Sequence, residues 1–260
     1  MAKRRMISGI CRLCGENKEL SFEHIPPRSA FNSRTSYREV TFDEWAKVDN
    51  PFDYKPKGKV IQGGTGFHAL CRDCNSFLGR EYVTAYQRWA NIFMEASLAQ
   101  TEVIELSVLA IQPLRILKQI IAMLVCINDK WYLKEYPDLA EFLKNPDSNK
   151  LPDNYRLFLY IKGAGNFRFK SHSTVSDPAY GILNMTELAF APFGYILTFD
   201  YRGTFPKMAE ITSFKSFASD RNYNLTFSLK RLPTWLPMPL DYRSREEIER
   251  AMKLAKKNRQ

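Results

Sequence analysis

Two pairs of cysteines with the same spacing lie in the first part of the chain. Cys11 and Cys14 form one Cys-x-x-Cys pair, and Cys71 and Cys74 form the other. Each pair can offer two thiolates to the same tetrahedral ion, so together they make a closed four-sulfur site of the kind that holds structural zinc. A redox dithiol or small core residues would explain one such pair, but the repetition favours zinc.

Three polar residues that could bind a second ion or move a proton follow these cysteine pairs in the sequence. Glu23 and His24 follow the first pair, and Asn75 comes directly after the second. Because a shared zinc ion would draw the two pairs together, we expect these three side chains to lie close in space. Carboxylate and amide oxygens suit a magnesium-like ion, and an imidazole can act as a general base.

The same residues resemble the motifs of the HNH endonucleases, which have the ββα-metal fold. In that family an acid-His pair, followed by Ile or Val and often Pro, lies on the first strand, and a Cys-x-x-Cys-Asn opens the helix. This chain reads Glu-His-Ile-Pro-Pro over residues 23–27 and Cys-Arg-Asp-Cys-Asn over residues 71–75. The resemblance, which covers about the first third of the chain, implies that His24 activates water while Glu23 and Asn75 hold Mg²⁺ or Mn²⁺.

One feature of the family pattern is missing. The family usually carries a central Asn shortly before the second cysteine pair, where it braces the loop that holds the base. Residues 63–70 of this chain contain no Asn. His68 or backbone groups could supply the bracing, and for His68 a hydrogen-bonded structural role near the cysteines is an equally good interpretation.

The charge balance favours a polyanionic partner. The chain of 260 residues carries 38 Lys and Arg against 28 Asp and Glu, a formal net charge of +10. Together with the nuclease-like motif, this predicts binding to nucleic acid, DNA more than RNA. Arg28 and Arg34 lie in a segment rich in hydroxyl and aromatic side chains, and Lys55, Lys57 and Lys59 alternate along an extended segment. These five residues are the predicted nucleic-acid contacts, although solvated loops would explain both segments.

The pattern of apolar residues predicts an α+β fold with two parts. Residues 1–100 would form the zinc-stabilised ββα-metal module, and residues 101–260 a helical segment followed by a mostly antiparallel sheet. The predicted helices are Asn75–Leu98, Leu114–Ile127, Trp131–Leu143 and Ser244–Gln260, with Ser244 as N-cap. The predicted strands are Tyr155–Ile161, Phe167–Phe169, Tyr195–Phe199 and Asn222–Leu229. His172 is expected in a surface turn and Cys126 in the core.

No signal peptide precedes Cys11, and the apolar helices are too short or too charged to span a membrane, which predicts a cytoplasmic protein without a membrane partner. The leading hypothesis is a metal-dependent HNH endonuclease, and by resemblance a role in phage defence or a mobile element. The alternative is a zinc-knuckle module that binds nucleic acid or protein without cutting. In a third hypothesis the C-terminal domain is the active part and binds a protein partner or a second copy.

Overall fold

The chain has an α+β fold, as the change of hydrophobic period along the sequence predicts. The computed structural model describes residues 7–40, 42–48, 50–54 and 56–258. The strands are β1 (Ser8–Ile10), β2 (Asn17–His24), β3 (Ser36–Tyr37), β4 (Ile61–Gln62), β5 (Gly66–Cys71), β6 (Val103–Ile111), β7 (Tyr155–Gly165), β8 (Arg168–Asp177), β9 (Gly181–Phe190), β10 (Phe193–Phe199), β11 (Ala209–Glu210) and β12 (Tyr223–Thr234). The helices are α1 (Phe42–Ala46), α2 (Arg72–Leu78), α3 (Thr84–Ser97), α4 (Pro113–Ile127), α5 (Tyr132–Glu135), α6 (Pro137–Lys144) and α7 (Arg245–Lys257).

The N-terminal part is organised around a three-stranded antiparallel sheet in the order β1-β2-β5. β2 pairs with β5 so that Glu23 lies opposite Phe67 and His24 lies opposite Gly66. The long segment between these strands includes α1 and a two-stranded sheet of β3 and β4. Because β5 continues directly into α2, strand, strand and helix meet at one end of the sheet.

The helix that follows the second cysteine pair is longer than α2 alone. α2 and α3 are joined by one turn of π-helix over Gly79–Val83, and the residues at both junctions keep right-handed helical angles. The sequence predicts this helix from near Asn75 to about Leu98, and the structure has it over residues 72–97. Its predicted apolar stripe is in the core, since Tyr82, Tyr86, Trp89 and Phe93 are buried.

α4 is buried on nearly every side, as its sequence predicts. It includes Lys118, whose ammonium group donates hydrogen bonds to the carbonyls of Phe142 and Asn145 at the end of α6. Burial lowers the pKa of Lys118 to about 8, and the negative end of the α6 dipole favours the charged form. Cys126, on the same helix, is buried as expected. Within the described residues, no helix is both long and apolar enough to cross a membrane.

The C-terminal part is built on a seven-stranded sheet in the order β6-β12-β7-β10-β9-β8, with β11 beside β7. Its strand pairs are antiparallel except for β12 and β7, which run parallel. The mostly antiparallel sheet predicted from the sequence is therefore confirmed. β6, β9 and the two-residue β11 are not predicted from the sequence. The second half of β9 is buried on both faces, so it lacks the alternation that reveals a half-exposed strand.

The two faces of this sheet are covered differently. One face packs against α3 and α4, and its residues belong to the same apolar core as the N-terminal strands and cysteines. The other face is covered by the chain beyond β10, where Phe205 packs on Phe158. A buried ion pair joins strands on this second face, with Arg168 Nη2 2.7 Å from Glu187 Oε1.

Of three predictions made from short stretches of sequence, the structure confirms one and corrects two. His172 lies on β8 and not in a turn; it is half-buried, with Nε2 3.0 Å from the Tyr136 hydroxyl, so that prediction is wrong. The helix predicted over residues 131–143 is divided into α5 and α6, because Tyr136 has non-helical angles before a proline. Ser244 caps α7 as predicted, and Glu247 completes a capping box.

Candidate active site

The two cysteine pairs meet at one place in the fold. The Sγ atoms of Cys11, Cys14, Cys71 and Cys74 all lie within 4.8 Å of one another. The first pair lies in the turn after β1, and the second spans the junction between β5 and α2. The backbone N–H of Cys71 donates a hydrogen bond to Cys11 Sγ at 3.3 Å. This arrangement could hold a metal ion such as zinc.

The charges within this cluster also suit a cation. A hydrogen bond from Cys74 lowers the pKa of the Cys11 thiol to about 4. Because Cys11 is then a thiolate, the pKa of Cys74 is raised well above its usual range, and burial raises the pKa of Cys14. The cluster therefore stabilises one thiolate by itself. Four thiolates at these distances need a positive charge among them, which a divalent ion supplies.

Glu23 and Asn75 are brought together by the pairing of β2 with β5 and the start of α2. Burial raises the pKa of the Glu23 carboxyl to about 7, and a hydrogen bond offered by Asn75 partly offsets this shift. The Asn75 Nδ2 also donates to Ser21 Oγ at 2.9 Å. Among the described residues, no Lys or Arg forms an ion pair with Glu23. A half-buried carboxyl that has no ion-pair partner among the described residues, next to an amide, fits a divalent ion.

His24 is the last residue of β2 and is held by the backbone of the glycine-rich segment before β5. Its Nε2 lies 3.0 Å from the carbonyl oxygen of Gly63. Because a carbonyl oxygen only accepts, Nε2 must carry the proton, and the lone pair of the neutral ring is then on Nδ1. The edge-on ring of Phe22 packs 5.0 Å away, centroid to centroid. The ring is thus oriented with Nδ1 free to accept a proton.

Asn32 is a residue of this site that the sequence analysis misses. It is fully buried, and its Nδ2 donates to the carbonyls of Pro26 and Thr65 at 2.7 and 2.8 Å. Its Oδ1 accepts from the backbone N–H of Thr65 at 2.8 Å. Thr65 in turn donates through Oγ1 to the carbonyl of Ile25. These bonds fasten the segment after His24 to the segment before β5.

Two glycines permit this close packing. Gly64 has φ +101°, and a Cβ there would collide with the backbone and side-chain oxygens of Asn32 and approach Cδ2 of His24. A Cβ on Gly66 would collide with the backbone of Glu23. The Gly-Gly-Thr-Gly run is therefore a site of close approach as well as a turn. In the sequence, the three glycines within residues 63–66 are the signal that could have located this loop, because glycine permits such close approach of the backbone.

His68 lies elsewhere on the sheet. It is exposed on β5, with Nδ1 3.3 Å from the Leu20 carbonyl oxygen and its ring packed edge-on against Phe22. The side chain that braces the loop beyond His24 is Asn32, through the hydrogen bonds to Pro26 and Thr65.

The predicted nucleic-acid contacts lie in two places. Arg28 and Arg34 are exposed and line an open cleft of 660 Å³ with Pro27, Ser29, Ser33 and Val83. This cleft begins three residues after His24. Lys57 and Lys59 are exposed in the irregular segment before β4, and Lys55 lies outside the described residues. The structure thus brings the two arginines, but not the two described lysines, into one cleft.

Comparisons with known proteins do not add to this description: no family model, no curated protein and no solved structure matches the chain.

Proposed function

We propose that this chain is a metal-dependent endonuclease of the HNH type, which hydrolyses phosphodiester bonds in nucleic acid, with DNA as the favoured substrate. The observation that supports it best is that Asn75, at the start of α2, lies close enough to influence the Glu23 carboxyl, and that His24 is the next residue on β2. By the same resemblance to the HNH endonucleases, we propose that the protein acts in phage defence or in a mobile element.

In this proposal His24 is the general base. With Nε2–H donated to Gly63, Nδ1 accepts a proton from a water molecule, whose oxygen bonds to phosphorus as the bond to the leaving oxygen breaks. Glu23 and Asn75 would hold Mg²⁺ or Mn²⁺. The ion would supply positive charge to the phosphate oxygens and to the leaving oxygen.

The cysteine cluster would hold zinc in a structural role. Four cysteine ligands leave zinc no open position for water or substrate, so it would take no part in the chemistry. Its contribution is to fix the turn after β1 against the start of α2, where Asn75 lies. The net charge of +10 and the free arginines near His24 support a nucleic-acid substrate.

The test is cleavage of plasmid, linear DNA and RNA by the purified protein with Mg²⁺ or Mn²⁺, followed by quenching with EDTA. His24→Ala should lower the cleavage rate by about 10² to 10⁴-fold, with zinc content and affinity unchanged. Asn75→Ala should raise the ion concentration needed for activity, since it removes one ligand. His68→Ala, an exposed histidine on the same sheet, is the matched control and should cut normally. A His24→Ala protein that cuts at the wild-type rate would contradict the assignment.

The alternative is a module that binds nucleic acid or protein without cutting. The contacts of Asn75 favour this alternative. Its amide donates to Ser21 Oγ and offers a hydrogen bond to the Glu23 carboxyl, so the hydrogen-bonding groups of these side chains are partly satisfied without an ion. In that case the wild-type protein binds nucleic acid but cuts none of the three substrates under any ion. His24→Ala would then change neither binding nor cleavage.

A further inference from the structure

The loop over residues 28–34 presents an exposed aromatic side chain to solvent. Phe31 is 42% exposed. Its φ is 68° and its ψ is 7°, the left-handed region that bulky residues rarely adopt. This conformation costs about 1–2 kcal/mol for a residue with a Cβ. Among the described residues, Phe31 has no aromatic or cationic partner that would offset the cost.

The backbone around Phe31 is held firmly in this conformation. Asn32, the next residue, is buried and hydrogen-bonded to Pro26 and Thr65. The Thr35 hydroxyl donates to the Phe31 carbonyl at 3.3 Å. Strained residues that are held in this way are concentrated at ligand-binding sites. The loop therefore fixes the backbone position from which the exposed ring extends into water.

Two cations flank the ring. Arg28 and Arg34 lie three residues on either side of Phe31, both exposed, and they line the same cleft as Ser29 and Ser33. Within the described parts of the chain, none of these four side chains has a hydrogen bond or an ion pair. Guanidinium groups and hydroxyls are the usual ligands of backbone phosphates. The 28–34 loop thus carries both the phosphate donors that line the cleft and one exposed ring.

This loop also lies next to the candidate base. The carbonyl oxygen of Asn32 and Cδ2 of His24 crowd the same side of Gly64, so the residue after Phe31 and the His24 ring are close neighbours. A nucleic-acid strand whose phosphate reached His24 would pass the loop with its neighbouring nucleotide. Charge complementarity favours that occupant over an apolar peptide, because the cleft beside this loop is lined by two exposed arginines, Arg28 and Arg34.

We propose that the 28–34 loop is a single-nucleotide subsite, in which Phe31 stacks on an unpaired base and Arg28 and Arg34 bind the phosphates on either side. This inference rests on the proposed function for the identity of the ligand. The face of a base is accessible to an aromatic ring only where the base is unstacked. The substrate class is therefore nucleic acid that is single-stranded or opened next to the cleaved bond.

The test uses the full chain without Mg²⁺ or Mn²⁺, so that binding is measured apart from cleavage. The probes are a single-stranded oligonucleotide with one 2-aminopurine and the same oligonucleotide in a duplex. Phe31→Leu should weaken single-strand binding roughly 5- to 150-fold, the range for one stacked base, and remove the change in 2-aminopurine fluorescence. Phe31→Trp should retain both. Phe167→Leu, which alters a ring of similar exposure in the turn between β7 and β8 and outside the cleft, should have no effect.

A second variant separates binding from folding. Phe31→Asn places a residue that tolerates the left-handed region, so Tm should rise by about 2–4 °C while single-strand binding falls. Arg28→Gln with Arg34→Gln should reduce the salt slope by about 1.4, the value for two phosphate contacts on a single strand. If Phe31→Leu leaves affinity and fluorescence unchanged, or if only the duplex binds, the subsite is disproved. Fluorescence changes in a protein that never cuts would disprove the nuclease and keep the subsite.

Discussion

The N-terminal and C-terminal parts of the molecule keep their shape by different kinds of contact. Around the candidate site the strands are short and partly exposed; four cysteine sulfur atoms lie together there, and the hydrogen bonds of Asn32 connect the loops. In the large sheet the strands are long, and β10 is buried along its entire length. Here apolar area provides most of the stability, at about 25 cal/mol for each square ångström.

The two parts of the molecule should therefore be destabilised by different kinds of mutation. A small sheet buries too little apolar surface to fix its own geometry, so the position of a functional side chain depends on a few discrete contacts. Removal of one such contact should disturb the site severely. The large sheet has a polar contact of its own in the ion pair of Arg168 with Glu187, which allows a direct comparison.

The largest expected effect is loss of the metal-binding cluster. Cys71→Ser should abolish stable zinc binding and unfold the N-terminal strands, because binding of a structural zinc contributes about 10 kcal/mol or more to folding. Elemental analysis and hydrogen exchange measure this. Cys126→Ser, at a buried cysteine outside the cluster, is the control and should keep one zinc per chain. A folded, protected N-terminal part without zinc would show that the cysteines are not its main support.

The next effect concerns the ion pair in the large sheet. Glu187→Gln leaves the Arg168 charge buried without its counter-charge and should lower the free energy of unfolding by about 3–5 kcal/mol. The zinc content should not change, since the pair lies on the sheet face away from α4. Arg168→Met with Glu187→Leu should recover much of the loss. Chemical denaturation measures all three, and loss of zinc in Glu187→Gln would show that the cysteine cluster depends on this distant ion pair.

A smaller effect is expected from Asn32. Asn32→Ala leaves buried groups of Pro26 and Thr65 without partners and should lower the free energy of unfolding by about 1–3 kcal/mol. The cleavage rate should fall by more than the loss of folded protein explains, because the Gly63 carbonyl that orients His24 is in the same loop as Thr65. Its pH profile should keep its shape, since the base itself is intact. An unchanged cleavage rate at full folding would show that the brace does not position His24.

The smallest effect is the pH dependence caused by Glu23. Burial raises the pKa of this carboxyl from its ordinary 4.5 to about 7, so the folded state retains a proton that the unfolded state has released between these values. Stability from this group is therefore lost as the pH rises through 7. Without Mg²⁺ or Mn²⁺, Glu23→Gln should gain Tm over the wild-type protein between pH 6 and pH 8. With the ion, the wild-type protein should recover, and the variant should not.

The parts of the site that follow local rules could be predicted from the sequence. Metal ligands need close spacing, so the Cys-x-x-Cys pairs are visible without a structure, and the four sulfur atoms do lie together. The cap of α7 by Ser244 is equally local. Predictions failed where the role of a residue depends on residues far away in the sequence. Asn32 acts by hydrogen bonding to Thr65, 33 positions later. The sequence does not show whether an asparagine is buried or exposed.

The same reasoning explains the errors in the C-terminal part. His172 lies among polar residues, which indicates a turn, but the pairing of β8 with β9 places it beside Tyr136. The second half of β9 is buried on both faces and includes Thr186 and Glu187, so its apolar and polar residues have no regular period of two. Burial on both sides depends on the rest of the chain, and a local pattern does not contain that information.

The separation of the two cysteine pairs also affects synthesis of the protein. When Cys11 and Cys14 leave the ribosome, they offer only two ligands, and the ion cannot be enclosed until Cys71 and Cys74 follow. At ordinary rates of translation this delay lasts about 3–12 seconds. During that interval the first pair is an exposed dithiol on a nascent chain. We therefore expect the chain to be most sensitive to oxidants and competing soft metals before Cys71 and Cys74 are synthesised.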